Sequence, residues 1–138
     1  MAKGANEWSF TFLRIVVGVI FFYHGYLKLF VPGGFSGFVK MLEGLGVPFP
    51  IISALLVSVV EFVGGFFFIV GMFTRWSAIF LTIDMLVALF LVHIKNGLNV
   101  YKGGFEFVLA LIAGLFVIWV CGPGKLSFGK LFKSKHLR

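Results

Sequence analysis

Residues 10–31 read FTFLRIVVGVIFFYHGYLKLFV, and apart from Thr11, Arg14, His24 and Lys28 every position is apolar, aromatic or glycine. At about 1.5 Å per residue such a helix is long enough to cross a hydrocarbon core of roughly 30 Å. A soluble helix would show a polar face of charged residues, and this run has none. Three more runs of the same kind follow, near Pro50–Met72, Trp76–Ile94 and Gly104–Cys121. The chain of 138 residues is 60% hydrophobic and 12% charged, with a mean hydropathy of +1.08. A single soluble domain cannot hide that much apolar surface, so the expected solvent is lipid. The fold expected is all-α: one domain over residues 1–138, a four-transmembrane-helix bundle followed by a basic cytoplasmic tail at 122–138. The first run is longer than the apolar core of a signal peptide and has no Ala-x-Ala-like site after it, so it reads as retained.

Between the first two runs, Pro32 to Pro50 is too long for a tight turn. Phe35, Phe38, Val39, Leu42 and Leu45 recur at helical spacing while Ser36, Lys40 and Glu43 point elsewhere. This predicts a short amphipathic helix in the membrane interface, as a lid over the outer mouth or as a spacer. Four crossings put both termini on one side with Arg75. Lys3, Arg75, Lys125, Lys130, Lys133, Lys135 and Arg138 then oppose Lys40, Lys95 and Lys102, which by the positive-inside rule makes both termini cytoplasmic. The net charge of +7 is thus mainly a topology signal, and membrane lipids are the expected partners of the basic tail. Nucleic acid is not expected, because the tail has neither a phosphate-binding loop nor an aromatic ladder. The lone Cys121 excludes a dithiol couple within the chain.

Chemistry has to come from the ionisable residues inside the runs, which are costly there and functional by default. Counted from the span edges, Arg14 lies in the inner quarter, Glu61 and Asp84 near the midplane, His24 higher, and Lys28, His93 and Glu106 at the outer rim. Glu61 and Asp84 should face the interior and have partners or be protonated. Arg14, Gly18, Phe21, Gly25 and Lys28 make one stripe on the first helix, and Ser58, Glu61, Gly64, Gly65 and Phe68 another on the second. Both stripes should face inward. The glycines Gly64 and Gly65 permit close packing, room for a planar ligand, or self-association as a homodimer. Asp84 and His93 are nine residues apart, which on a regular α-helix puts them on opposite faces. Asp84 is therefore expected to form a structural ion pair with Arg14, and His93 to meet Lys28 and Glu106 at the rim.

His24, Lys28, Glu61 and Glu106 thus converge on the outer half of the bundle. A quinone fits this set: His24 and Lys28 donate to its carbonyls, Glu61 acts catalytically on the proton, and Glu106 with His93 completes the binding set at the outer mouth. A haem between His24 and His93, or a metal on His24, His93 and Glu106, ranks below it, for want of matched depth or a ligand-spacing motif.

At these same residues the sequence resembles the DoxX family of small four-helix bacterial and archaeal membrane proteins. The resemblance rests on Arg14 with Gly18, on His24-Gly25-Tyr26-Leu27-Lys28, on Gly46-Val47-Pro48, and on Glu61 with Gly64-Gly65. It continues through Gly71 with Thr74-Arg75, Ala88 with His93, Gly104-Phe105-Glu106, and Gly122-Pro123-Gly124 with Ser127, and departs at Phe128, where an acidic residue is usual. It implies a location in the cytoplasmic membrane and a redox-linked role beside a protein partner that supplies electrons, without fixing a reaction. A metal or small-solute binding and transport module, or a scaffold for a soluble enzyme, are the other classes open at this point.

Overall fold

A computed structural model describes residues 3–131, and among these every regular element is helical. The basic residues Lys133, Lys135 and Arg138 of the expected tail lie outside the described residues. Helix α1 runs Lys3–Phe30, α2 Gly34–Gly44, α3 Pro50–Val70, α4 Thr74–Ala88, α5 Glu106–Cys121 and the single turn α6 Phe128–Leu131. Helix α1 starts seven residues ahead of its apolar run and stops where Pro32 and the left-handed Gly33 (φ 79°) break the chain before α2. Pro50 opens α3, where its missing N–H costs nothing, and Gly71 closes it in the left-handed conformation, donating its N–H to Phe67 O at 2.8 Å.

Helix α4 does not end as a regular α-helix. After Ala88 it widens into one π turn, Leu89–His93, and tightens into a 3-10 turn, Ile94–Asn96. The apolar stretches Gly4–Phe30, Pro50–Val70 and Thr74–Asn96 are each long and apolar enough to cross a membrane, and α5 is an apolar helix of 16 residues.

Helix α1 packs on α3, α3 on α4, α4 on α5 and α5 on α1, which closes a ring, while α2 lies against α1 and α3. Val17, Phe21, Phe68, Leu81, Leu111 and Leu115 fill its centre. Large apolar side chains such as Phe12, Ile51, Phe80 and Phe116 face outward, as a lipid-exposed perimeter requires. Both expected stripes are buried, with only Lys28 left partly open. The closest approach is between α1 and α3. A Cβ at Gly18 would lie 2.8 Å from Phe68 Cβ, and one at Gly25 2.7 Å from Phe62 Cα. Gly65 is closed by Gly18 and Phe22, and Gly64 faces Leu81 of α4. Gly65 is thus packed against α1, and Gly64 meets Leu81 while also lining an apolar cavity of about 380 Å³ between α3 and α4.

Candidate functional site

The termini end of the bundle holds Arg14. It is almost fully buried, and its NH1 donates to Pro123 O at 2.5 Å. Pro123 follows the end of α5, and Gly71, which caps α3, also packs against the guanidinium. Arg14 is therefore level with the helix ends, and α1 continues about three turns beyond it. Asp84 lies ten residues into α4 from Thr74 at that same end, about 15 Å along the axis. The expected Arg14–Asp84 ion pair does not form because the two residues sit at different depths.

Asp84 instead shares the middle layer with Glu61. Glu61 is buried and ion-paired through Oε2 with Lys28 Nζ, and Asp84 lies beside it. Lys28 Nζ also sits 4.6 Å from the ring centroid of Phe38 on α2. Asp84 Oδ2 is buried with no partner among the described residues. Phe38, Leu42 and Leu45 cover a small cavity of about 70 Å³ that touches both Glu61 and Asp84. Helix α2 thus covers the carboxylates.

On the other side of Glu61 lies a cavity of about 270 Å³ between α1, α4 and α5, walled by Phe21, Met85, Phe107, Val108 and Leu111 and carrying His24, His93 and Glu61. Val100, Gly103 and Gly104 of the loop between α4 and α5 also line it. His24 Nδ1 is 2.9 Å from Ile20 O and His93 Nδ1 is 2.8 Å from Gly103 O. A carbonyl only accepts, so each Nδ1 carries the hydrogen, and Nε2 of each ring has no protein partner among the described residues.

Two expectations change here. Lys28 does not line this cavity, because the flexible stem of a rim lysine reaches Glu61 at mid-depth and is held there. Glu106 does not line it either. Its Oε1 accepts from Val100 N at 2.6 Å and so clamps the loop that holds His93. Among the described residues no three His, Cys, Asp or Glu side chains gather as a metal-ligand set, and Glu106 cannot complete one with the two histidines.

Asp84 and His93 line different cavities, on either side of Glu61, but a local irregularity narrows their separation around the helix. A π turn closes with i→i+5 bonds, so each residue advances less than about 100° around the axis. The turn at Leu89–His93 thereby brings His93 towards the side of Asp84, and the cavities they line share Glu61, Met85 and Ala88. The π turn itself has no cue in the sequence. The nearness of Asp84 to Glu61 had one: both residues count to the midplane.

Comparison with known proteins bears on the same residues. The family model for DoxX matches residues 9–94, which include Arg14, His24, Lys28, Glu61, Asp84 and His93. The chain belongs to the DoxX family. An Escherichia coli relative, "Inner membrane protein YqjF", is 30% identical over 122 residues, covering 88% of this chain and 90% of its own. An uncharacterized Haemophilus influenzae protein is 32% identical over 132 residues, covering 93% and 85%. The Bacillus subtilis protein named "Putative oxidoreductase CatD" is 28% identical over 124 residues, covering 89% and 87%. No solved structure matches the chain significantly. This DoxX protein is thus a transmembrane protein by family and by its apolar helices.

Proposed function

We propose that this DoxX protein crosses the membrane four times and binds the head group of a quinone or similar lipophilic redox molecule in the cavity of His24, His93 and Glu61. A fourth crossing by α5 makes the number even and keeps Lys3, Arg75, Lys125 and Lys130 at one end, against Lys40, Lys95 and Lys102 at the other. The positive-inside rule then puts both termini in the cytoplasm and the cavity in the outer half.

The observation that carries the reading is the cavity's polar lining, two imidazoles and a carboxylate in an otherwise apolar wall. Phe21, Phe107 and Leu111 offer ring and tail packing. A quinone, when bound, couples transfer of two electrons to transfer of two protons. With Nδ1 tied back, each neutral imidazole presents Nε2 as an acceptor for a hydroxyl hydrogen of the reduced form; the protonated ring presents a donor to a carbonyl of the oxidised form. Glu61 is the carboxylate of that lining and takes the proton role, with Lys28 balancing its charge. Electrons come from or go to a partner protein. The name of the Bacillus subtilis relative agrees with a redox role.

The test is the identity of the small molecules retained when the protein is purified gently in detergent, read by mass spectrometry. A retained quinone, with affinity reduced about tenfold by His24→Phe or His93→Phe, is the expected result. Glu61→Gln should keep quinone binding and lose at least a hundredfold in partner-dependent turnover, the range of general acid–base catalysis. Unchanged turnover in Glu61→Gln removes its proton role. No quinone retained, and no thermal stabilisation by added quinone, removes the reading itself.

A further inference from the structure

At the termini end, beside Arg14, a second cavity of about 510 Å³ has no part in the site above. Its polar lining is Arg14, Lys125, Ser127 and Lys130, and its apolar lining is Ile15, Ile69 and Val70 on the long helices with Leu126, Phe128 and Leu131 after α5. Among the described residues no carboxylate lines it. Arg14 brings five N–H donors, of which the described residues engage NH1 alone, and Nε is buried without a partner. Lys125 and Lys130 are held loosely. Lys125 Nζ lies 5.4 Å from the ring centroid of Trp8, and Lys130 Nζ lies 3.6 Å from Glu7 Oε2, a pair open to solvent.

We propose that this cavity binds the phosphate of an anionic phospholipid. Three cations around one space match a phosphate oxyanion, and Arg14 is the donor suited to a fork of two hydrogen bonds. The depth is also suitable. Arg14 is level with the ends of α3 and α5, where the bundle meets the headgroup layer. Ile15, Ile69 and Val70 then lie on the hydrocarbon side of the phosphate, which a lipid needs and a free phosphate does not. The site serves to seat the cytoplasmic end of the bundle in an anionic leaflet, and it does not depend on what fills the cavity of His24 and His93.

The experiment uses the full chain in nonionic detergent with three probes: short-chain phosphatidylglycerol, short-chain phosphatidylcholine and inorganic phosphate. Thermal stability and retained lipid by native mass spectrometry are the readouts. Phosphatidylglycerol is expected to stabilise and to be retained, with little response to the other two. Lys125→Gln with Lys130→Gln, both at the surface, should leave lipid-free stability unchanged and weaken phosphatidylglycerol binding at least tenfold. Glu7→Gln frees Lys130 and should strengthen binding a few-fold. Equal response to both lipids, or undiminished binding by the double variant, overturns the proposal. A full response to inorganic phosphate alone overturns the assignment to lipid.

Discussion

The two halves of the bundle bury charge in different ways. At the termini end the buried cation, Arg14, reaches a main-chain carbonyl, Pro123 O. A guanidinium does not give up its proton in a protein. It can fix where two segments meet and hold an anion, but it moves no proton. In the other half Glu61 has Lys28 on one side and Asp84 on another, with His24 and His93 across a cavity. Groups of this kind can exchange protons, which is the role proposed above for Glu61. Burial of charge therefore does not by itself separate a clamp from a reactive site; the chemistry of the partner does.

The sharpest way to break that contrast is Lys28→Met. It leaves the Glu61 carboxylate buried without its cation, and loss of one partner from a buried pair costs about 3–5 kcal/mol. Lys28→Met combined with Glu61→Gln should recover most of the loss, because no charge is then left unpaired. Unfolding of the three proteins in detergent decides it. If the double variant is no more stable than Lys28→Met, the contact of Lys28 with Phe38 matters more than the charge.

The α1–α3 seam joins the two halves, and Gly25→Ala tests whether the upper half depends on it. The added methyl would press on the main chain of Phe62, the residue after Glu61, and overpacking of this kind costs about 1–3 kcal/mol. Moving α1 away from α3 there should also displace Lys28 from Glu61, so ligand affinity in the cavity should fall together with thermal stability. Gly37→Ala on α2, where a Cβ meets nothing within 4 Å, is the control and should not destabilise.

Most of this architecture was legible in the sequence because it follows from two periodicities. Long apolar runs named the helices, and spacings of three and four named their buried stripes, from Arg14 to Lys28 and from Ser58 to Phe68. What was not legible depended on irregular backbone or on side-chain reach. The π turn after Ala88 changes the direction of His93, and no residue in Leu89–His93 announces it. Lys28, counted to the rim, reaches the midplane by the length of its own stem. Glu106 looked like a ligand by residue type, yet it spends its carboxylate on a loop N–H, a use that depends on how Leu98–Phe105 folds back.

At the clamp end, Ser127→Ala should have a moderate effect. Ser127 Oγ donates to Gly71 O at 2.6 Å in a buried setting and ties the segment after α5 to the cap of α3. Losing that bond is expected to cost about 1 kcal/mol, seen as a lower melting temperature. Quinone affinity should stay the same. A change there would mean that the two halves are coupled and that the contrast between clamp and reactive site is too strong.

Glu106→Gln should have the smallest effect, and it bears on the line between the two classes. The amide keeps an oxygen that can accept from Val100 N, so the loop should stay folded and His93 should remain bonded to Gly103 O. Only the negative charge is lost. If Glu106 is a clamp, ligand binding and turnover should change less than about threefold, well under the 1.4 kcal/mol of a tenfold change. Glu106→Ala, which removes the acceptor as well, should then reduce ligand affinity by loosening His93. A large loss in Glu106→Gln matched by no further loss in Glu106→Ala would make the charge itself the contribution and move Glu106 back among the residues that touch the ligand.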